Sequence, residues 1–252
     1  MSEGLPPAWG RPRGWPLRIV STVLHEQPHA DAARRLSGFA CIRCACTVYE
    51  YCRLDSDGPE GDLFLLCIAC RKALNALTHD LEAVLALLRR KPLAQQPQFD
   101  RSPLPYARGY DILDVSFAFG PTMRSTIVPI VLAGKPVLSL FPPEVFGGPA
   151  QMTLVLGAAD GAPIKIVEAN RWTPAATGWR FERLTNRYGF ESPDGAAALR
   201  LAFLPDAMVR IDFLRCRFAG SDLEIDERGA RLNGLSIAIP DSAEQVVGVR
   251  LS

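Results

Sequence analysis

Two textures of apolar and polar positions divide the chain. In residues 71–91, Leu74, Leu77, Leu81, Val84, Leu85 and Leu88 recur at spacings of three and four, the period of one apolar helix face. The pattern predicts one long helix over 71–91. Arg89, Arg90 and Lys91 fall in its last turn, where cations suit the helix dipole, and Pro92 stops it. Upstream, Leu17–Leu24 is apolar and β-branched and predicts a strand, and Ala30–Leu36 predicts a short helix ending near Gly38. Beyond about residue 106, short apolar or alternating runs are separated by Gly, Pro and Asp turns. Strands are predicted over Ile112–Phe119, Thr126–Leu132, Pro136–Phe141, Met152–Leu156, Ile164–Val167, Trp179–Leu184, Ala198–Phe203, Val209–Phe213, Leu235–Ile239 and Val246–Leu251. Such a series, with no long helical pattern, suggests a mainly antiparallel all-β sandwich or barrel. The expected class is therefore α+β: an N-terminal module over 1–91, a Pro- and Gln-rich linker over 92–105, and a β-rich domain over 106–252.

Composition keeps this picture and removes others. Of 252 residues 48% are hydrophobic and 22% charged, which excludes general disorder, collagen and coiled coil. Lys plus Arg is 28 against 27 for Asp plus Glu, and the balance holds in both parts, with 12 against 11 in residues 1–100 and 16 against 16 thereafter. Bulk charge therefore cannot wrap nucleic acid, and any such contact needs a local patch. The most apolar stretch, Ser125–Phe141, contains Pro129, Lys135 and Pro136 and reads as strands and a turn, not a membrane span. Residues 1–10 lack the basic start and apolar run of a secretory signal, so a cytoplasmic protein is expected. Gly161-Ala162, Gly195-Ala196 and Gly229-Ala230 recur 34 residues apart, each before an apolar run. They mark either an internal repeat or ordinary turns.

The cysteines carry the strongest chemistry. Six of the seven lie between Cys41 and Cys70, and Cys216 stands apart in an expected strand. Cys41-Ile42-Arg43-Cys44 and Cys67-Ile68-Ala69-Cys70 are two Cys-x-x-Cys pairs separated by 22 residues. In a reducing compartment such pairs favour metal over disulfides. Each pair lets two thiolates reach one ion from a tight turn, and two pairs complete a closed tetrahedral zinc site. The order of first pair, hairpin, then second pair at a helix start is that of a treble-clef zinc fold. Cys46 and Cys52 are either small core residues or further ligands. An iron–sulfur cluster would also use four cysteines. A closed four-Cys site has no open position for water or substrate and contributes folding energy, not catalysis.

Leu63-Phe64-Leu65-Leu66-Cys67-Ile68-Ala69-Cys70-Arg71-Lys72 resembles the closing part of zinc-bearing HNH endonucleases, over about residues 38–85. The resemblance implies a ββα-metal site between the cysteine pairs, a His base at a strand end, and a cation-binding His after the last pair. Residues 45–66 contain no His, and Arg71 stands where that family often has one. The chain thus looks like the zinc scaffold of such a nuclease without its catalytic set. The part after residue 106 is similar, more vaguely, to β-rich domains appended to bacterial HNH-type proteins. The likeness rests on Asn170-Arg171-Trp172, Trp179, Leu199 to Pro205, Ile211 and Leu214.

Other constellations are weaker. His25-Glu26-Gln27-Pro28-His29 has the form His-Glu-x-x-His, but Pro28 falls in the helix turn that metalloprotease chemistry needs. Asp55, Asp57, Glu60 and Asp62 form an acidic hairpin tip or a cation site, and Asp55, Asp57 and His79 would carry any residual nuclease activity. Arg171-Trp172, Trp179-Arg180-Phe181 and Arg187-Tyr188 interleave cations with rings, as base-stacking surfaces do. The motifs and the resemblance together predict a non-catalytic, HNH-derived zinc protein that engages nucleic acid, DNA or RNA, or a nucleic-acid-processing complex, with Arg43, Arg71, Lys72, Arg89, Arg90 and Lys91 as the contact residues. The alternatives are a β domain that docks a protein partner or a second copy, and an active metal-dependent nuclease.

Overall fold

The computed structural model describes residues 18–22, 27–55, 63–76, 81–90, 113–144, 148–158, 160–184, 186–204, 208–241 and 246–251. The cysteine-bearing part begins with β1 (Ile19–Ser21) and helix α1 (Gln27–Leu36). Strands β2 (Glu50–Leu54) and β3 (Phe64–Leu66) form an antiparallel hairpin, and β1 adds antiparallel to β2. Helices α2 (Ile68–Ala76) and α3 (Leu81–Arg90) follow. The single helix expected over 71–91 is therefore two. The first starts three residues earlier, directly after Cys67, and the pair is separated by residues 77–80, outside the described residues. The apolar period runs across this interval because Leu74, Leu81 and Leu85 are all buried, so periodicity alone cannot register the break.

The described elements that follow are strands, apart from a short 3-10 turn over Pro174–Ala176, and each of the ten predicted runs carries a strand. One six-stranded sheet contains β6 (Val128–Leu132), β7 (Lys135–Phe141), β8 (Gln151–Gly157), β9 (Pro163–Glu168), β10 (Arg171–Trp172) and β18 (Val247–Leu251), in the order β10-β9-β8-β7-β6-β18. It is antiparallel except for the parallel β6–β18 pair. The stretch Ser125–Phe141 supplies two of its strands, and no helix among the described residues is long and apolar enough to cross a membrane.

The second sheet runs β11 (Arg180–Leu184), β12 (Arg187–Glu191), β13 (Ala198–Leu204), β14 (Met208–Phe218), β15 (Ser221–Asp226), β16 (Gly229–Leu232) and β17 (Leu235–Ile237) in sequence order. Eleven-residue β14 changes neighbour along its length. Met208–Ile211 pairs in parallel with β4 (Asp114–Phe117), itself paired with β5 (Thr122–Met123), while Leu214–Phe218 pairs with β15. The Gly-Ala repeat marks three left-handed turn glycines, Gly161, Gly195 and Gly229, ahead of or within β9, β13 and β16. These strands lie in two different sheets, so the repeat is one of turns and not of architecture.

A single apolar cluster joins all three sheets, running from Ile19, Phe64 and Leu74 through Leu138, Leu154 and Ile166 to Tyr188, Leu214 and Ile225. The outward face of the larger sheet is instead a ladder of ions. Arg180 lies opposite Glu191, Arg215 opposite Glu224, Arg217 opposite Asp222 and Arg231 opposite Glu224, each within ion-pair reach. Such exposed pairs contribute little stability, but they neutralise Arg180, Arg215, Arg217 and Arg231.

Asn170 joins the cysteine-bearing part to the six-stranded sheet. It occupies the left-handed region at φ 67°, which Asn tolerates better than most residues. Its buried side chain accepts from the Met152 N–H and donates to the Ala150 carbonyl, both at 2.8 Å. Its carbonyl accepts from the Tyr49 N–H at 3.0 Å, and the Tyr49 carbonyl accepts from Trp172 at 2.7 Å. Asn170→Ala strands two buried backbone groups, so a loss of about 2–4 kcal/mol is expected by urea unfolding. An unchanged midpoint would contradict this assignment.

Candidate metal centre

Each cysteine pair is built by local backbone bonding. In the first, the Ala45 N–H donates to the Cys41 carbonyl and the Cys41 N–H to the Cys46 carbonyl, both at 2.8 Å. Ala45 turns through φ 56°, which closes the loop. The Ile42 N–H donates to the Leu65 carbonyl at 3.0 Å and pins this loop to the hairpin. In the second pair, Cys67 immediately precedes α2, and its sulfur accepts from the Cys70 N–H at 3.5 Å, in the manner of a helix cap. The helix N-terminus favours negative charge on that sulfur.

The two loops bring together the sulfurs of Cys41, Cys44, Cys67 and Cys70, all within 4.8 Å of one another, so the four can hold a metal ion. The Cys44 and Cys67 sulfurs are 3.7 Å apart. Four sulfurs at about 2.3 Å around a tetrahedral centre stand about 3.8 Å from each other, so the spacing fits. It is far too long for a disulfide, and all seven cysteines are free. Burial pushes the Cys41 thiol well up, whereas hydrogen bonds from Cys41, Cys44, Cys46 and Cys70 pull the Cys67 thiol far down.

The neighbouring cysteines have other partners. Cys46 donates to the Val48 carbonyl at 3.4 Å and approaches the Tyr188 hydroxyl at 3.6 Å, while Cys52 donates to the Glu50 carbonyl at 3.7 Å. Burial raises both thiols above their ordinary range. Neither belongs to the four-sulfur group.

The β-rich part completes the site. Arg183 and Tyr188 are cross-strand neighbours on β11 and β12. Arg183 donates to the Cys44 carbonyl at 2.6 Å, and the Tyr188 hydroxyl bonds the Thr47 hydroxyl at 2.9 Å and accepts from the Thr47 N–H at 3.2 Å. Burial works against the Arg183 charge, but the ionised forms of Cys44, Cys46, Tyr188 and Cys67 would more than offset it and raise its pKa. A divalent ion held by these four thiolates would carry two net negative charges, which the Arg183 guanidinium at the Cys44 carbonyl would partly offset. Arg183→Met is expected to weaken metal retention about 10–100-fold in chelator competition. Unaltered retention would show that the guanidinium only braces the loop.

Above the centre lies a groove of about 930 Å³ between the start of α2 and strands β11–β14. Arg71 and Lys72 line it, as do Trp172, Trp179, Arg180 and Phe181 from the interleaved ring and cation motifs. Arg71 is bound to Glu50 at 2.6 Å. The other basic candidates sit elsewhere. Arg43 is half-buried in the first loop, Arg89 lies over the Phe64 ring at 4.8 Å, and Arg90 is exposed at the end of α3. Arg187 is on the solvent face near Asp212, and Tyr188 is core. Lys91, Asp57, Glu60, Asp62, His79, His25 and Glu26 lie outside the described residues, while Asp55 follows β2 and His29 is on α1. Helix α1 begins at Gln27 with Pro28 in its first turn, where proline is tolerated.

Compared with known proteins, the chain matches no family model, no curated protein and no solved structure.

Proposed function

We propose that the chain is a non-catalytic zinc protein whose four-Cys centre staples α2 to the first cysteine loop, which Arg183 and Tyr188 hold against the β-rich part, and whose junction groove engages nucleic acid. The reading rests chiefly on the convergence of four sulfurs within 4.8 Å at the base of α2, the helix that carries Arg71 and Lys72 to the groove. An all-thiol, closed, tetrahedral set suits zinc as a structural ion. Loop, hairpin, loop and helix follow in treble-clef order, and we read residues 38–85 as a zinc scaffold of the HNH endonuclease kind without its histidines. The protein is taken to work in the cytoplasm, where thiols stay reduced.

Labelled DNA and RNA, titrated by fluorescence anisotropy, test the nucleic-acid role. Binding is expected to weaken steeply between about 50 and 200 mM salt and to drop at least tenfold in an Arg71→Ala, Lys72→Ala double variant. No binding at the lower salt would overturn it. Protein docking is the second reading, favoured by one feature. Strand β11 is the edge of its sheet and exposes Arg180, Glu182 and Leu184, an edge to which an extended peptide could add.

A further inference from the structure

Phe213 breaks the pattern of its strand. Along β14 the residues Val209, Ile211, Leu214, Cys216 and Phe218 are buried, while Arg210, Asp212, Arg215 and Arg217 face the ion ladder. The alternation slips at one place. Arg200 of β13 is opposite Phe213 and Leu201 is opposite Ile211, so Asp212 is the extra residue of a β-bulge. The bulge leaves Phe213 partly exposed, outside the apolar core, on a face otherwise occupied by charges. Bulges re-aim side chains and recur beside functional sites. Here the re-aimed ring lines the groove. The guanidinium groups of Arg200 and Arg215 stand 5.5 and 5.4 Å from its centroid.

The groove's charges favour an anion. Glu50 and Glu191 are neutralised by Arg71 and Arg180. That leaves Glu182 against Lys72 and Arg200, neither of which has an ion-pair partner among the described residues, with Arg215 shared with Glu224. The occupant must therefore offer negative charge together with a flat face to meet a ring and guanidinium planes. An acidic peptide supplies only the first. A duplex hides its base faces and needs a broad row of cations, which the paired arginines of the ladder do not present.

Resting on the nucleic-acid reading above, we propose that the groove is a single-strand site. A base stacks on Phe213 between Arg200 and Arg215, and Lys72 and Arg200 take the flanking phosphates. Cationic grooves with aromatic platforms bind single strands in this way.

The test uses the whole protein, twelve-nucleotide single strands of DNA and RNA, the matching DNA duplex, and poly-glutamate. Single strands are expected to bind at least tenfold tighter than duplex. Phe213→Ala and Phe213→Leu should each weaken single-strand binding about tenfold, while Phe213→Trp retains it. Lys72→Ala and Arg200→Ala should each reduce the salt slope by about one. Phe213 is partly exposed, so the leucine variant, which keeps apolar bulk and removes the ring, folds and makes the comparison decisive. Equal binding of duplex and single strand with no effect at Phe213 would overturn the platform and leave the wider nucleic-acid reading standing. Binding of poly-glutamate but of no nucleic acid would overturn both.

Discussion

Cys67→Ser is expected to lose any metal held by the four sulfurs and to unfold about 10–20 °C below the parent. Of the four sulfurs this one has the most dependents. It lies 3.7 Å from Cys44, accepts from the Cys70 N–H, and receives hydrogen bonds from the surrounding thiols. Serine replaces a large soft donor with a small hard one, so the fourth coordination position is lost and three thiolates are left with a poorly held ion. Zinc sites of this kind supply folding free energy directly, and loss of one is worth on the order of 5 kcal/mol here. In a chain of this size each kcal/mol moves Tm by about 2–4 °C. Thermal unfolding and elemental analysis on the same sample read both effects. Cys216→Ser is the control. Cys216 is buried in β14, away from the cluster, with its thiol pushed up to about 12 by burial, so its serine variant keeps the metal. If Cys67→Ser keeps both metal and Tm, the cluster is not a metal site.

Gly157→Ala is expected to be nearly as damaging, for a reason unrelated to metal. The end of β8 meets β14 backbone to backbone. A Cβ on Gly157 would overlap the Arg217 carbonyl oxygen and stand 2.9 Å from its carbonyl carbon. No side-chain rotamer relieves the clash, because the obstacle is main chain in the middle of a paired strand. The two large sheets share one core, so the methyl group must separate them or bend β14, at a cost of about 3 kcal/mol or more. Gly189→Ala gives the comparison. Its added Cβ would lie 3.7 Å from the Glu182 Cβ, ordinary van der Waals contact, so its urea midpoint should stay close to that of the parent. Equal midpoints for Gly157→Ala and Gly189→Ala would mean that the sheets are not locked at this crossing.

What the sequence made legible is what local pattern can encode. The ten short apolar or alternating runs point to ten strands, and the Cys-x-x-Cys spacing to four sulfurs that converge. Strand β15 was missed although Leu223 and Ile225 alternate with Asp222, Glu224 and Asp226. Three acids in six residues read as a turn until the arginines opposite them are known. Strand β12 was missed because Gly189 interrupts its interior. The site's other half was hidden by distance along the chain. Arg183 reaches Cys44 across 139 residues, and Tyr188 reaches Thr47 across 141. No window of sequence holds both partners of either bond. The same holds for the balanced charge. It was visible as a sum, but its cause, arginines facing carboxylates across strands, is a matter of register. The position of Phe213 depends on a single extra residue in β14, which only pairing with β13 reveals.

A zinc ion bound by Cys41, Cys44, Cys67 and Cys70 would fasten the start of α2 to the first cysteine loop. The most direct measurement is the metal content of the whole protein purified without added metal, by elemental analysis against protein concentration. One zinc per chain is expected. Absence of zinc, or iron in its place, would contradict it.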